Sequence, residues 1–155
     1  MKCADGSRCF GRACLIGLWL ALALIGVRIE AAGTTNAPLA AGEAELLAEM
    51  AAKGTNTARL YRLGDLCHDA GVTGDKAAVV RAEAYLREIL RREPTNALAT
   101  TLLGSVYTMK GRDAFWPNQQ LRLVHEGNEL MDQGVRLAPD DIQTRLLRAF
   151  NNAHM

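Results

Sequence analysis

The side chains able to do chemistry are few, and their spacing speaks against most of it. His125-Glu126 begins as a zinc-peptidase motif does. That motif needs a second histidine four residues on, so that both imidazoles share one helix face. Glu129 stands at that place. His68, His125 and His154 are scattered, with no neighbouring ligand pair, and a zinc site needs three or four converging ligands. Asp65 and Asp69 are four apart and share a helix face. Such a pair can hold a cation or a proton, or it can simply be a solvated face. Ser105 lies in Gly104-Ser105-Val106, without the second glycine and the strand-to-helix turn of a hydrolase elbow. No phosphate loop or dinucleotide fingerprint occurs. These residues give no reason to expect catalysis, a cofactor or a metal.

The elements that must position them are helices. Leu46, Leu47 and Met50 recur at helical spacing between Glu43 and Lys53, and Gly54 follows. Asn56 or Thr57 can cap a helix running to residue 70. Residues 76–92 carry Val79, Ala82, Tyr85, Leu86, Ile89 and Leu90 on one face. Residues 96–110, 121–137 and 141–155 follow as three more helices. No segment alternates as a strand does. Pro94 and Pro139 close helical runs, since proline cannot continue them. Gly71 and Gly111 follow the last periodic residues and suit left-handed helix ends. Gly64 and Gly104 lie inside helical runs, where glycine costs about 1 kcal/mol against alanine. Close approach of a neighbouring helix offsets that cost.

The spacing repeats. Leu63-Gly64-x-x-Cys67-x-x-x-Gly71 is echoed by Leu103-Gly104-x-x-Tyr107-x-x-x-Gly111. Ala82, Leu86, Ile89 and Pro94 follow the first; Gly127, Met131, Gly134 and Pro139 follow the second with the same intervals. This pattern resembles the tetratricopeptide repeat, with Cys67 in the place of an aromatic and Thr100 in that of a large apolar residue. The family's period is about 34 residues. Here the excess between Pro94 and Pro139 is placed in the inter-helix turn around residues 112–117, and a smaller excess in residues 72–80. The resemblance implies an all-α fold: a short right-handed stack of antiparallel helical hairpins, a TPR-like α-solenoid. Its units would span residues 56–95 and 96–140, with a partial unit at 141–155. First helices line the concave face in that family. Tyr61, Asp65, His68 and Asp69 would then look inward, as would Thr101, Ser105, Thr108 and Met109. Such a mixed surface suits a peptide or protein segment better than a small cofactor.

The N-terminus has the order of a secretory signal. Lys2, Arg8 and Arg12 precede an apolar run over residues 13–27, and Ala31, Ala32 and Gly33 follow. The run is shorter than the ~17–25 residues of a spanning helix. Residues 1–31 are read as a cleaved signal peptide or, alternatively, as an N-terminal anchor, the one membrane contact expected. Residues 32–55 form a lead segment and a leading helix. The chain carries 18 Lys+Arg against 17 Asp+Glu, with no basic stripe, so nucleic acid is not an expected partner. Cys3, Cys9 and Cys14 fall in the leader, and Cys67 alone cannot form an internal disulfide.

Phe115-Trp116-Pro117 is the most unusual local feature in a chain that is 5% aromatic. Two readings stand: a loop folded back onto its helix pair, or a hook for a partner. A stacked array needs a polar closing element after its last helix, so the expectation is that the sequence is a fragment of a longer chain or, alternatively, that the array finishes on a partner. The sequence therefore predicts an exported, periplasmic or secreted, non-enzymatic helical-repeat protein that binds a protein or peptide in the cell envelope. The alternative is an enzyme or enzyme accessory whose active residues lie in a further C-terminal part.

Overall fold

In the computed structural model, which describes residues 39–40 and 42–153, every regular element is a helix. They are α1 (Glu43–Lys53), α2 (Thr57–Val72), α3 (Lys76–Arg92), α4 (Ala97–Asp113), α5 (Pro117–Leu137) and α6 (Ile142–Ala153). The expected leader, residues 1–31, lies outside the described residues. Among the described residues no helix is long and apolar enough to cross a membrane.

Local sequence explains where the helices begin. The Asn56 side chain accepts from Arg59 N, that of Asn96 from Ala99 N, and that of Asp75 from Ala77 N and Ala78 N. Asp141 accepts from Gln143 N and Thr144 N at the start of α6. Each supplies an acceptor to amides that the first helical turn leaves unbonded. Pro117 opens α5, where its missing N–H costs nothing. Gly54, at φ 79°, takes the chain out of α1.

Glycine contacts fix the pairing. Gly64 faces Leu86, and Gly71 faces Val79, so α2 and α3 run antiparallel. Gly104 faces Gly127 and Met131, and Gly111 faces Val124, so α4 and α5 do the same. Gly134 lies against Ala97 O and Thr101. The two hairpins differ in closeness. A Cβ at Gly64 would stand 3.2 Å from a Leu86 methyl, whereas one at Gly104 would stand 2.5 Å from the Gly127 carbonyl oxygen. Side chain separates α2 from α3; backbone meets backbone between α4 and α5. Leu60, Cys67, Val79, Leu86, Ile89, Leu102 and Val106 form the core between the hairpins. Leu63 is fully buried as well.

Three sequence expectations change. Gly71 and Gly111 do not end helices in a left-handed turn; both lie within helices, buried where a neighbour leaves no room for a side chain. The excess residues of the second hairpin do not form an inserted loop. Only residues 114–116 connect α4 to α5, and α5 runs for 21 residues from Pro117 instead of starting at Leu121. Nor do the aromatics fold back. Phe115 is 82% exposed and Trp116 63%, and they meet each other edge to face with ring centroids 5.1 Å apart.

Cys67 is fully buried beside Glu43 and Arg81, and burial pushes its thiol up to about 12. Thiolate is the reactive form, so burial of this side chain keeps Cys67 unreactive in the folded protein. Alkylation of Cys67 by iodoacetamide, followed by peptide mass mapping, should track global unfolding. Rapid labelling of the native protein would contradict this burial.

Candidate functional site

One groove brings together polar and apolar side chains from four helices. Its cavity is about 860 Å³. α2 contributes His68 and Val72, and α4 contributes Ser105, Thr108, Met109 and Arg112. Val124 of α5 and Leu147, Phe150 and Asn151 of α6 complete it. Helical periodicity explains the α4 set. Ser105, Thr108, Met109 and Arg112 recur at intervals of three and four, so they share one face.

The floor is polar and tied together. His68 Nε2 and Ser105 Oγ share a hydrogen bond of 2.9 Å, and both side chains are buried. Thr108 Oγ1 lies 2.7 Å from Ser105 O and 2.8 Å from Asn151 Oδ1, within reach of both acceptors. That contact orients the Asn151 amide. Its Nδ2 is out of water and has no hydrogen-bond partner among the protein's groups. At one end Arg112 donates to Gly71 O at 3.2 Å and pairs with Asp113 at 3.0 Å. The Asp113 carboxylate bonded to it raises the Arg112 pKa, keeping the guanidinium charged. Apolar walls stand above this floor, and Val72 and Phe150 are 57% and 61% exposed at the rim.

Ser105, His68 and Asp69 invite comparison with a nucleophile, base and orienting acid. His68 Nδ1 is 3.4 Å from Asp69 Oδ1, but that carboxylate's side chain is 75% exposed. Water therefore competes for the bond meant to orient the ring. Ser105 lies mid-helix, where its own N–H is spent on the helix and offers nothing to an oxyanion. The arrangement suits recognition better than acyl transfer.

Of the inward positions expected from sequence, His68, Ser105, Thr108 and Met109 meet in this groove. The other four do not line it. Thr101 is fully buried and turns toward α5, with its hydroxyl on Ala97 O and against Gly134. Tyr61 packs against the core, and burial pushes its hydroxyl pKa upward. Asp65 and Asp69 are exposed along α2. Partial desolvation, then the Asp69 carboxylate, raises the Asp65 pKa. Sequence reasoning missed Val72, Arg112, Val124, Leu147, Phe150 and Asn151. The four-residue spacing from Thr108 to Arg112 signalled one of them; the others depend on how α5 and α6 dock. Among the described residues no three His, Cys, Asp or Glu side chains converge as a metal site would require. His125 is exposed and pairs with Glu129, at 3.3 Å.

Comparison with known proteins found no family model, no curated protein and no solved structure that matches the chain.

Proposed function

We propose that this is a non-enzymatic helical-repeat protein that holds an extended peptide or protein segment in the groove between α2, α4 and α6, and that it works in the cell envelope after export. The observation that carries this reading is the groove itself: an open trough with apolar walls and a bonded polar floor. An extended segment offers both kinds of group. Its side chains bury against Val72, Met109, Leu147 and Phe150. Its backbone carbonyls suit the half-exposed Arg112 guanidinium at the groove's end, and its N–H groups suit hydroxyl acceptors. The exposed Phe115–Trp116 pair, three residues beyond Arg112, offers a second apolar anchor.

Support for the repeat reading comes from equivalent contacts. Gly64 meets Leu86 as Gly104 meets Met131; Gly71 meets Val79 as Gly111 meets Val124. Asn56, Asn96 and Asp141 cap helices at corresponding places. In this reading the hairpins are units of a tetratricopeptide-like right-handed stack, and the leader directs export.

The test is selection from a displayed library of random decapeptides, followed by fluorescence polarisation of labelled winners. Val72 is exposed, so Val72→Asp should leave folding intact while placing a charge at the rim. Winners should carry apolar residues, and Val72→Asp should weaken them by about tenfold or more, a change of ~1.4 kcal/mol. No enrichment, or equal binding by the variant, would reject the groove as a peptide site.

A further inference from the structure

Charge is spread unevenly around the groove. Among the described residues no carboxylate lines it, and one permanent cation does, Arg112. The acids on the four helices that build it are engaged elsewhere. On α2, Asp65 is exposed, and Asp69 meets His68 from the rim with its side chain 75% exposed. On α5, Glu126, Glu129 and Asp132 pair with Arg122, His125 and Arg148. α6 contains no acid, and α4 contains one, Asp113.

Asp113 takes only one edge of the Arg112 guanidinium. Nε reaches its Oδ1 at 3.0 Å and Nη2 its Oδ2 at 3.2 Å. Nη2 also donates to Gly71 O of α2 at 3.2 Å. These bonds pin the planar fork between α2 and α4, so a ligand that uses it has little left to immobilise. Nη1 carries two more N–H groups and has no hydrogen-bond partner among the described residues. The side chain is 46% exposed, so those donors are open to solvent. Nor does Asp113 cancel the charge at this end. The Arg112 hydrogen bond, and more weakly the Lys76 charge, hold its carboxyl below the usual range, so two cations share one carboxylate.

We infer that the segment held in this groove carries an acidic side chain, Asp or Glu, that seats on Arg112 Nη1. This rests on the groove being a peptide site. A backbone carbonyl can accept from Nη1 too, but only a carboxylate adds the attraction of opposite charges to the bond. A basic side chain there meets a like charge and finds no carboxylate in the lining. The place of the acid follows from α4. Ser105, on the polar floor with His68, and Arg112 are seven positions apart, about 10 Å of helix rise. An extended segment covers that distance in about three residues. Met109 lies between them on the same face, so an apolar residue belongs between the acid and the part over the floor.

The test uses decapeptides selected from a random displayed library against the full chain. They are resynthesised with amidated C-termini, so that side chains supply the only carboxylates, and measured by fluorescence polarisation. Winners should share an Asp or Glu next to an apolar anchor. Changing that acid to its amide should weaken binding about tenfold, and changing it to Lys should weaken it further. Arg112 is half exposed, so Arg112→Gln should keep the circular dichroism of the wild type. It should bind the acidic peptide and its amide alike, within about twofold. Phe150→Ala is an uncharged change at the exposed rim, and should weaken both peptides equally. Two results overturn the inference and leave the peptide site standing: winners that depend on Phe150 yet carry no acid, or an acid whose loss costs as much in Arg112→Gln as in the wild type. No winners, or winners indifferent to Phe150→Ala, overturn the peptide site and the inference with it.

Discussion

Adding one methyl group at Gly104 should destabilise the protein by about 3 kcal/mol, while the same change at Gly64 should leave stability within about 1 kcal/mol of wild type. Both glycines are buried mid-helix, and alanine favours a helix over glycine by about 1 kcal/mol. Their neighbours decide the sign. At Gly64 the new Cβ meets Leu86 Cδ2 at 3.2 Å, the end of a side chain that can turn by a few tenths of an ångström. At Gly104 it meets Gly127 O at 2.5 Å, Met131 Cγ at 2.7 Å and Met131 N at 2.9 Å. Two of those atoms are backbone inside α5, so relief requires α4 and α5 to separate along their length. That disturbs Gly127 on Thr108 and Gly134 on Thr101 as well. Gly104→Leu should be worse, and can exhaust the roughly 5–15 kcal/mol by which domains are stable. Urea unfolding followed by circular dichroism reads the contrast. Equal midpoints for Gly64→Ala and Gly104→Ala would mean that α4 and α5 are not in backbone contact.

That contrast shows what the sequence could and could not reveal. The repeated glycine spacing marks where helices approach, because a mid-helix glycine needs a reason. It does not tell which approach is closest, because that depends on the residue opposite: Leu86 in one hairpin, Gly127 and Met131 in the other. The extents of α1 and α3 were legible to the residue, since Gly54 ends α1 and the apolar face from Val79 to Leu90, closed by Pro94, marks α3. The start of α5 was not. Phe115-Trp116-Pro117 reads as a loop because proline and paired aromatics interrupt the pattern, yet proline is at home in a first helical turn. Gly71 and Gly111 misled for the converse reason. Near the end of a periodic run, a glycine that ends a helix and one that admits a neighbour look alike. The groove was half legible. His68, Ser105, Thr108 and Met109 follow from the face of the first helices, while Leu147, Phe150 and Asn151 arrive with α6, whose docking no local spacing announces.

The anchorage of α1 was not legible at all, and removing it carries the other large expected effect. Glu43 stands in the first turn of α1, where an acidic residue ordinarily faces water and complements the helix dipole. Here it is fully buried. Its carboxylate accepts from Arg81 Nε at 3.0 and 3.1 Å, from Tyr85 OH at 3.1 Å and from Ala40 N at 3.0 Å. Its partners on α3 lie 38 and 42 residues away, so no local pattern could have paired them. Taking a carboxylate out of water is expensive, and the Arg81 guanidinium is what makes it tolerable. Arg81→Met leaves the carboxylate buried beside Tyr85 with its charge uncompensated. The expected loss is about 3–5 kcal/mol. Glu43→Met should cost a similar amount, because it leaves Arg81 half-buried without its main acceptor. The double change removes both charges together and should recover most of the loss, since apolar side chains of similar volume pack where the pair stood. A double-mutant cycle from urea midpoints measures the coupling. Additive losses would show that Glu43 and Arg81 stabilise the fold separately, and that α1 is held by Leu46 and Met50 rather than by this pair.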